Sequence, residues 1–81
     1  MKKDFTKYNT VDKLITGCIT IEKNIQFNNV EADEVVIEPN VTARLFGKIK
    51  ERLVLKQGAT LYLHGSIHGN VENNGGTIIV F

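Results

Sequence analysis

The 81-residue sequence contains one cysteine, so it cannot form an internal disulfide bond. Such sparing use of cysteine is typical of proteins from a reducing compartment. No apolar run follows the opening Met1-Lys2-Lys3-Asp4, and we therefore expect neither a secretory signal nor a transmembrane segment. These two absences make the cytoplasm the expected location. Cys18 itself, between Gly17 and Ile19, is expected to be a small buried apolar group.

The sequence also lacks an excess of charge of either sign. Ten Lys or Arg residues stand against nine Asp or Glu residues, which gives a formal net charge of +1. Proteins that bind nucleic acid through their overall field carry a much larger basic excess. We therefore expect no nucleic-acid partner.

Helical periodicity is missing as well. Apolar residues do not recur three and four apart over any capped stretch, and Gly, Asn and β-branched residues are spread throughout. What the chain does show, from Leu14 onward, is alternation of apolar and polar residues, the pattern of strands with one buried face. An all-β fold is expected.

A corner recurs along this alternating pattern. Asn and Gly adopt the left-handed conformation of a sharp bend most easily, and they stand 16, 18 and 17 positions apart. These predicted structural corners are Asn24, Asn40, Gly58 and Gly75. So regular a spacing indicates a coil rather than unrelated loops.

Each coil holds up to three short strands separated by bends. The predicted inward residues after the corners are Ala43, Leu45, Ile49, Leu61, Leu63, Ile67, Ile78 and Val80. Three strands in a coil of about 17–18 residues predict a single-stranded, three-sided parallel β-helix, a β-solenoid, of about four coils over residues 13–81. Residues 1–12 break the repeat and are expected to form an N-terminal cap.

The charges agree with this stacking. A shift of 18 residues sets Glu34 beside Arg52 and Glu38 beside Lys56. Opposite charges on neighbouring strands each contribute about 0.2–1 kcal/mol and disfavour a slipped register. The charged stretches are therefore interpreted as a solvated face with ion pairs between coils.

The second half of the chain resembles a known family. The stretch His64-Gly65-Ser66-Ile67-His68-Gly69-Asn70-Val71, the later Gly76-Thr77-Ile78-Ile79-Val80 and the fainter Gly47-Lys48-Ile49 are similar to the bactofilins, bacterial cytoskeletal proteins. The resemblance covers Thr42 to Phe81. It implies a right-handed, three-sided β-helix and a non-enzymatic protein that assembles end to end into filaments.

An outward face after the corners is the predicted partner-binding surface. Aromatic and Arg side chains displayed on a rigid sheet favour protein contacts, although they can also stack on each other and support the sheet. This face consists of Arg44, Phe46, Tyr62, His64, Ile79 and Phe81. The partner is expected to be a second copy, bound through the coil ends, or a bacterial toxin neutralised by this chain as an immunity protein.

The end of the sequence favours the first of these partners. Thr77-Ile78-Ile79-Val80-Phe81 is expected to form a strand with no capping segment after it. Its unpaired backbone groups and apolar side chains could pair with another chain.

Catalytic chemistry finds little support in the pattern. His64 and His68 lack a third metal ligand nearby in sequence, and Asn74-Gly75-Gly76 has no following helix to bind phosphate. Ile49, Leu55, Leu61 and Ile67 are six apart, as in hexapeptide acyltransferases, where a histidine acts as general base; this alternative ranks last. We expect no enzyme activity, no cofactor and no metal.

Overall fold

The computed structural model describes residues 9–81, and every regular element among them is a β-strand. In chain order the strands are β1 (Asn9–Val11), β2 (Ile15–Ile21), β3 (Ile25–Ile37), β4 (Thr42–Leu55), β5 (Thr60–Ile67), β6 (Asn70–Asn73) and β7 (Thr77–Val80). Residues 9–81 therefore contain no helix long and apolar enough to cross a membrane.

All strand pairs are parallel, and each joins one coil to the next. Ile25 pairs with Ala43, Ala43 with Leu61, and Leu61 with Ile78, at sequence separations of 18, 18 and 17. A strand that pairs in parallel with its equivalent one turn later builds a solenoid. The predicted all-β parallel solenoid of about four coils is confirmed.

Breaks and shifts in the pairing, together with the positive-φ residues Gly47 and Gly65, divide each coil into three sides. Side A consists of Asn9–Val11, 25–27, 42–46, 60–64 and Thr77–Val80. Side B consists of 15–17, 30–32, 47–49 and 65–67. Side C consists of 18–21, 34–37, 52–55 and Asn70–Asn73. We call the coil that ends in β7 the upper coil and the coil that contains β1 and β2 the lower coil.

The core lies between the three sides and is built from alternate residues of each strand. Of the eight residues predicted to point inward, Ala43, Leu45, Ile49, Leu61 and Leu63 are fully buried, and Ile67 and Ile78 pack against them half-buried. Val80 differs, since 58% of it is exposed. Its inward position is the same as that of Leu63, but no coil of residues 9–81 covers it from above.

Three of the four predicted corners adopt the left-handed conformation. Asn40, Gly58 and Gly75 have φ angles of 64°, 78° and 104°. Asn24 does not have a positive φ, so the expected backbone bend is wrong there. Its side chain stabilises the corner instead, because Asn24 Oδ1 accepts a hydrogen bond of 2.8 Å from the amide of Thr42 in the next coil.

The expectation that Cys18 is buried is also wrong. Cys18 is exposed, because the alternation of β2 is unbroken and sets Cys18 at an outward position between Gly17 and Ile19, opposite the outward-facing Glu34 of side C. The predicted cap falls mostly outside the described residues. Of that segment, Asn9–Val11 is strand β1, which pairs with 25–27 and so belongs to the stack of coils.

The ion pairs between coils occur where the register predicted them. Glu34 lies 3.9 Å from Arg52, and Glu38 lies 2.8 Å from Lys56. Arg52 also reaches Glu72 in the coil above, at 3.2 Å. Charge therefore alternates through three successive coils on side C.

Candidate protein-docking surface

Five of the six residues of the predicted partner-binding face lie on side A, and the sixth, Phe81, directly follows it. The pairing register aligns Arg44 with Tyr62 and Tyr62 with Ile79, and it aligns Phe46 with His64. Phe81 follows β7 and continues the second of these rows, since its amide donates a 2.9 Å hydrogen bond to the carbonyl of Leu63. The strands thus bring the predicted face together across three coils.

Three of its rings form an aromatic column, made of Phe46, His64 and Phe81. The ring centroids of Phe46 and His64 are 4.3 Å apart with an interplanar angle of 10°. Those of His64 and Phe81 are also 4.3 Å apart, with an angle of 3°. Because the coil repeat places equivalent side chains directly above each other, the column runs along the solenoid axis.

Arg44 fixes the chemical state of the middle ring. Its Nε–H donates a 3.0 Å hydrogen bond to His64 Nε2, so this ring nitrogen carries no proton. Burial, and then the positive charge of Arg44, lower the pKa of His64 below its ordinary value of 6.5. The guanidinium carbon also lies 5.8 Å from the centre of the Phe46 ring, within cation–π range.

The column supports the sheet as well as displaying aromatic surface. Each stacked pair contributes about 0.5–1.5 kcal/mol beyond burial of its area. Phe46 and His64 are half-buried by this arrangement, whereas 64% of Phe81 is exposed. The surface left for a partner is therefore concentrated at the upper end of the column.

Exposed apolar side chains gather at the two ends of the solenoid. Within residues 9–81 the large apolar side chains with substantial exposure are Leu14 (47%), Val71 (46%), Ile79 (38%), Val80 (58%) and Phe81 (64%). Four of them belong to the upper coil, and Leu14 belongs to the lower coil. Inspection of the sequence missed Val71 and Leu14, because alternation predicts the direction of a side chain but not whether another coil lies beyond it.

The upper coil also presents strand edges. Among the described strands, β7 pairs only with β5, and β6 pairs only with β4. Strand edges with free backbone groups are templates for pairing with another chain. The lower end also has such edges, since among the described strands β1 and β2 pair only with β3, but four of the five exposed apolar side chains lie at the upper end.

The predicted corners form a separate stack at one edge of the solenoid. The amide of Asn40 donates to the carbonyl of Gln57, and the amide of Gly58 donates to the carbonyl of Gly75, at 3.1 and 3.0 Å. These bonds use the backbone groups of the corners within the fold. The corners therefore position the strands of side A rather than forming part of the candidate docking surface.

The two histidines have different surroundings. His64 contacts Phe46, Phe81 and Arg44, whereas His68 lies 3.2 Å from the hydroxyl of Ser66 on the exposed surface. Within residues 9–81, no three His, Cys, Asp or Glu side chains are grouped so that they could hold a metal ion.

Comparison with known proteins adds no relative: no protein-family model, curated protein or solved structure matches this chain.

Proposed function

We propose that this chain is a non-catalytic protein-interaction protein that associates end to end with a second copy, in the manner that its resemblance to the bactofilins implies. The observation that carries the proposal is the position of the exposed apolar side chains. The five such side chains of residues 9–81 lie at the ends of the solenoid, four on the upper coil and Leu14 on the lower one.

Burial across the fold supports an association at the ends. Leu61 and Leu63 are fully buried because β7 covers them, while Ile78 and Val80 occupy the same inward positions with less cover. A second molecule placed on the upper coil would bury Val80 and Phe81 as each coil buries the one below. Burial of apolar area at about 25 cal/mol per Å² is the main favourable contribution to such an association.

The pattern of pairing favours contact between two upper ends. The lower edge of side A presents the polar Asn9 at the position that Ile78 occupies at the upper edge. The two positions are equivalent because successive strands pair Asn9 with Ile25, Ile25 with Ala43, Ala43 with Leu61 and Leu61 with Ile78. Asp12, which follows Val11, holds a 2.6 Å hydrogen bond from Asn28 at that lower end. The upper end has apolar residues at the corresponding places.

Light scattering coupled to size exclusion tests this proposal over a series of protein and salt concentrations. The wild-type chain is expected to form dimers or larger assemblies whose mass rises with protein concentration. Val80→Asp introduces a charge at the upper end and is expected to yield monomers. Gln57→Asp, which adds the same charge at an exposed corner of a middle coil, is the matched control and should assemble normally.

Leu14→Asp distinguishes the two geometries of assembly. If only upper ends meet, the Leu14→Asp protein still forms the dimer. If an upper end meets a lower end, the Leu14→Asp protein is monomeric, as the Val80→Asp protein is. A wild-type chain that is monomeric at every concentration, or a Val80→Asp protein that assembles as the wild type does, would contradict the proposal. Circular dichroism should show that the variants keep their strand content.

A further inference from the structure

A five-residue pattern recurs on side A in three successive coils, from residue 42 to residue 81. The three segments are Thr42-Ala43-Arg44-Leu45-Phe46, Thr60-Leu61-Tyr62-Leu63-His64 and Thr77-Ile78-Ile79-Val80-Phe81. In each, threonine comes first, apolar residues occupy the second and fourth positions, and an aromatic ring occupies the fifth. Every position of one segment lies directly on the same position of the next.

The inward positions show what an additional segment would gain. Leu61 and Leu63 are fully buried under β7, whereas Ile78 is half-buried and Val80 is 58% exposed. Apolar side chains at the second and fourth positions of a further strand would cover them as β7 covers β5. Polar residues there would be buried without hydrogen-bond partners.

The outward positions add a second requirement. Phe81 ends the aromatic column with one ring face on His64, at 4.3 Å, and 64% of its surface exposed. A further aromatic ring at the fifth position would continue the column at the same spacing. The first position is threonine in all three segments, so threonine is favoured there in a further strand. The third position holds Arg44, Tyr62 and Ile79 in turn, so it tolerates varied residues.

The backbone supplies the pairing groups. The amides of Thr77 and Phe81 point down, to the carbonyls of Ala59 and Leu63. Since successive residues of a strand direct their hydrogen-bonding groups to opposite neighbours, the amide and carbonyl groups of Ile78 and Val80 point up. Four backbone groups on β7 are therefore directed at the position of a further parallel strand.

Building on the proposed docking role of the upper coil, we propose that β7 binds an extended segment of another protein as an added parallel strand, selected by the order threonine, apolar, any residue, apolar, aromatic. The recognition continues an interface that the fold already uses between successive coils. The lower edge of a second copy does not meet this requirement, since it presents Asn9 in the first apolar row and has Asp12 after Val11.

Fluorescence anisotropy with a labelled synthetic peptide, Lys-Thr-Val-Lys-Val-Phe-Lys, tests the proposal. The control peptide, Lys-Val-Thr-Lys-Phe-Val-Lys, has the same composition, but it exchanges the first pair and the last pair of the motif. A one-position exchange moves the side chains to the wrong faces of a strand. We expect saturable binding of the first peptide and at least tenfold weaker binding of the control.

Protein variants locate the bound peptide. Phe81→Ala removes the ring that the peptide phenylalanine would stack on and should weaken binding about tenfold. Val80→Asp should weaken it further, while Leu14→Asp, at the opposite end, should bind as the wild type does. Equal binding of the two peptides, or binding that Val80→Asp and Phe81→Ala leave unchanged, would overturn the inference.

The same measurements separate this inference from the proposed self-association. If the chain stays monomeric but binds the ordered peptide, the strand-binding inference stands and the proposed self-association is wrong. If the chain assembles but binds the two peptides equally, the proposed self-association stands and the inferred sequence preference of β7 is wrong. If both hold, the ordered peptide should dissociate the assemblies, because both compete for β7.

Discussion

Replacement of Gly47 by alanine should destabilise the fold through a contact between coils. Gly47 lies where side A turns into side B, with a φ of 140°, and it pairs with Val30 below and Gly65 above. A methyl group on Gly47 would overlap the carbonyl oxygen of Val30 and come within 2.9 Å of the Val30 amide nitrogen. Since backbone atoms of a paired strand cannot rotate away as a side chain does, the coils would have to separate locally.

Two contributions determine the size of the effect. Holding a residue with a Cβ in this rare conformation costs about 1–3 kcal/mol. Forcing extra volume into a packed contact costs about 1–3 kcal/mol more. The sum of about 2–6 kcal/mol is a large share of the roughly 4–12 kcal/mol expected for unfolding 81 residues.

Gly17→Ala is the matched control. Gly17 has a φ of 78°, but a Cβ there would have no atom within 4 Å. This variant should lose only the backbone contribution, about 1–2 kcal/mol. Urea unfolding followed by circular dichroism measures both losses, and equal losses in the two variants would refute the steric explanation.

Two further predictions concern side A and its corners. The pKa of His64 is lowered in the folded state, so the unfolded chain binds the proton more tightly. The free energy of unfolding of the wild type should therefore be highest above about pH 6.5, where His64 is neutral in both states, and should fall as the pH drops below that value. His64→Phe should reduce this fall in urea unfolding at pH 7.5 and 5.5. A wild type that gains stability on acidification would contradict the lowered pKa of His64, which burial and then Arg44 cause. Asn40→Gly should change the free energy of unfolding by less than about 1 kcal/mol because φ is already positive, whereas Asn24→Gly should lose about 0.5–1.5 kcal/mol with its bond to Thr42. Equal effects at the two corners would show that the Asn24 side chain contributes nothing.

The sequence was sufficient to predict the coil and the register of its second half. Period-two alternation sets which side chains point inward, and the threonines at 42, 60 and 77 mark equivalent positions. Once the register is known, the alignment of Arg44 with Tyr62 and of Phe46 with His64 follows from the numbering. The ion pair between Glu34 and Arg52 follows in the same way.

The properties that depend on neighbouring coils could not be predicted in this way. Val71 pairs with Leu53 on side C, yet Leu53 is fully buried and 46% of Val71 is exposed. The two residues differ in their place along the stack rather than in their local pattern. Cys18 is a different case, because the unbroken alternation from Ile15 to Ile21 is enough to place it at an outward position between Gly17 and Ile19.

The aromatic column makes the two ends of side A chemically different. Below Phe46 the register shifts, so that Asn28 and Asn29 together oppose that one residue, and the column cannot continue downward. Above, it ends with the exposed ring of Phe81, next to the free edge of β7. A partner that stacks on the column is therefore expected to bind at the upper end alone, which gives the proposed docking surface a direction that the repeating fold by itself does not have.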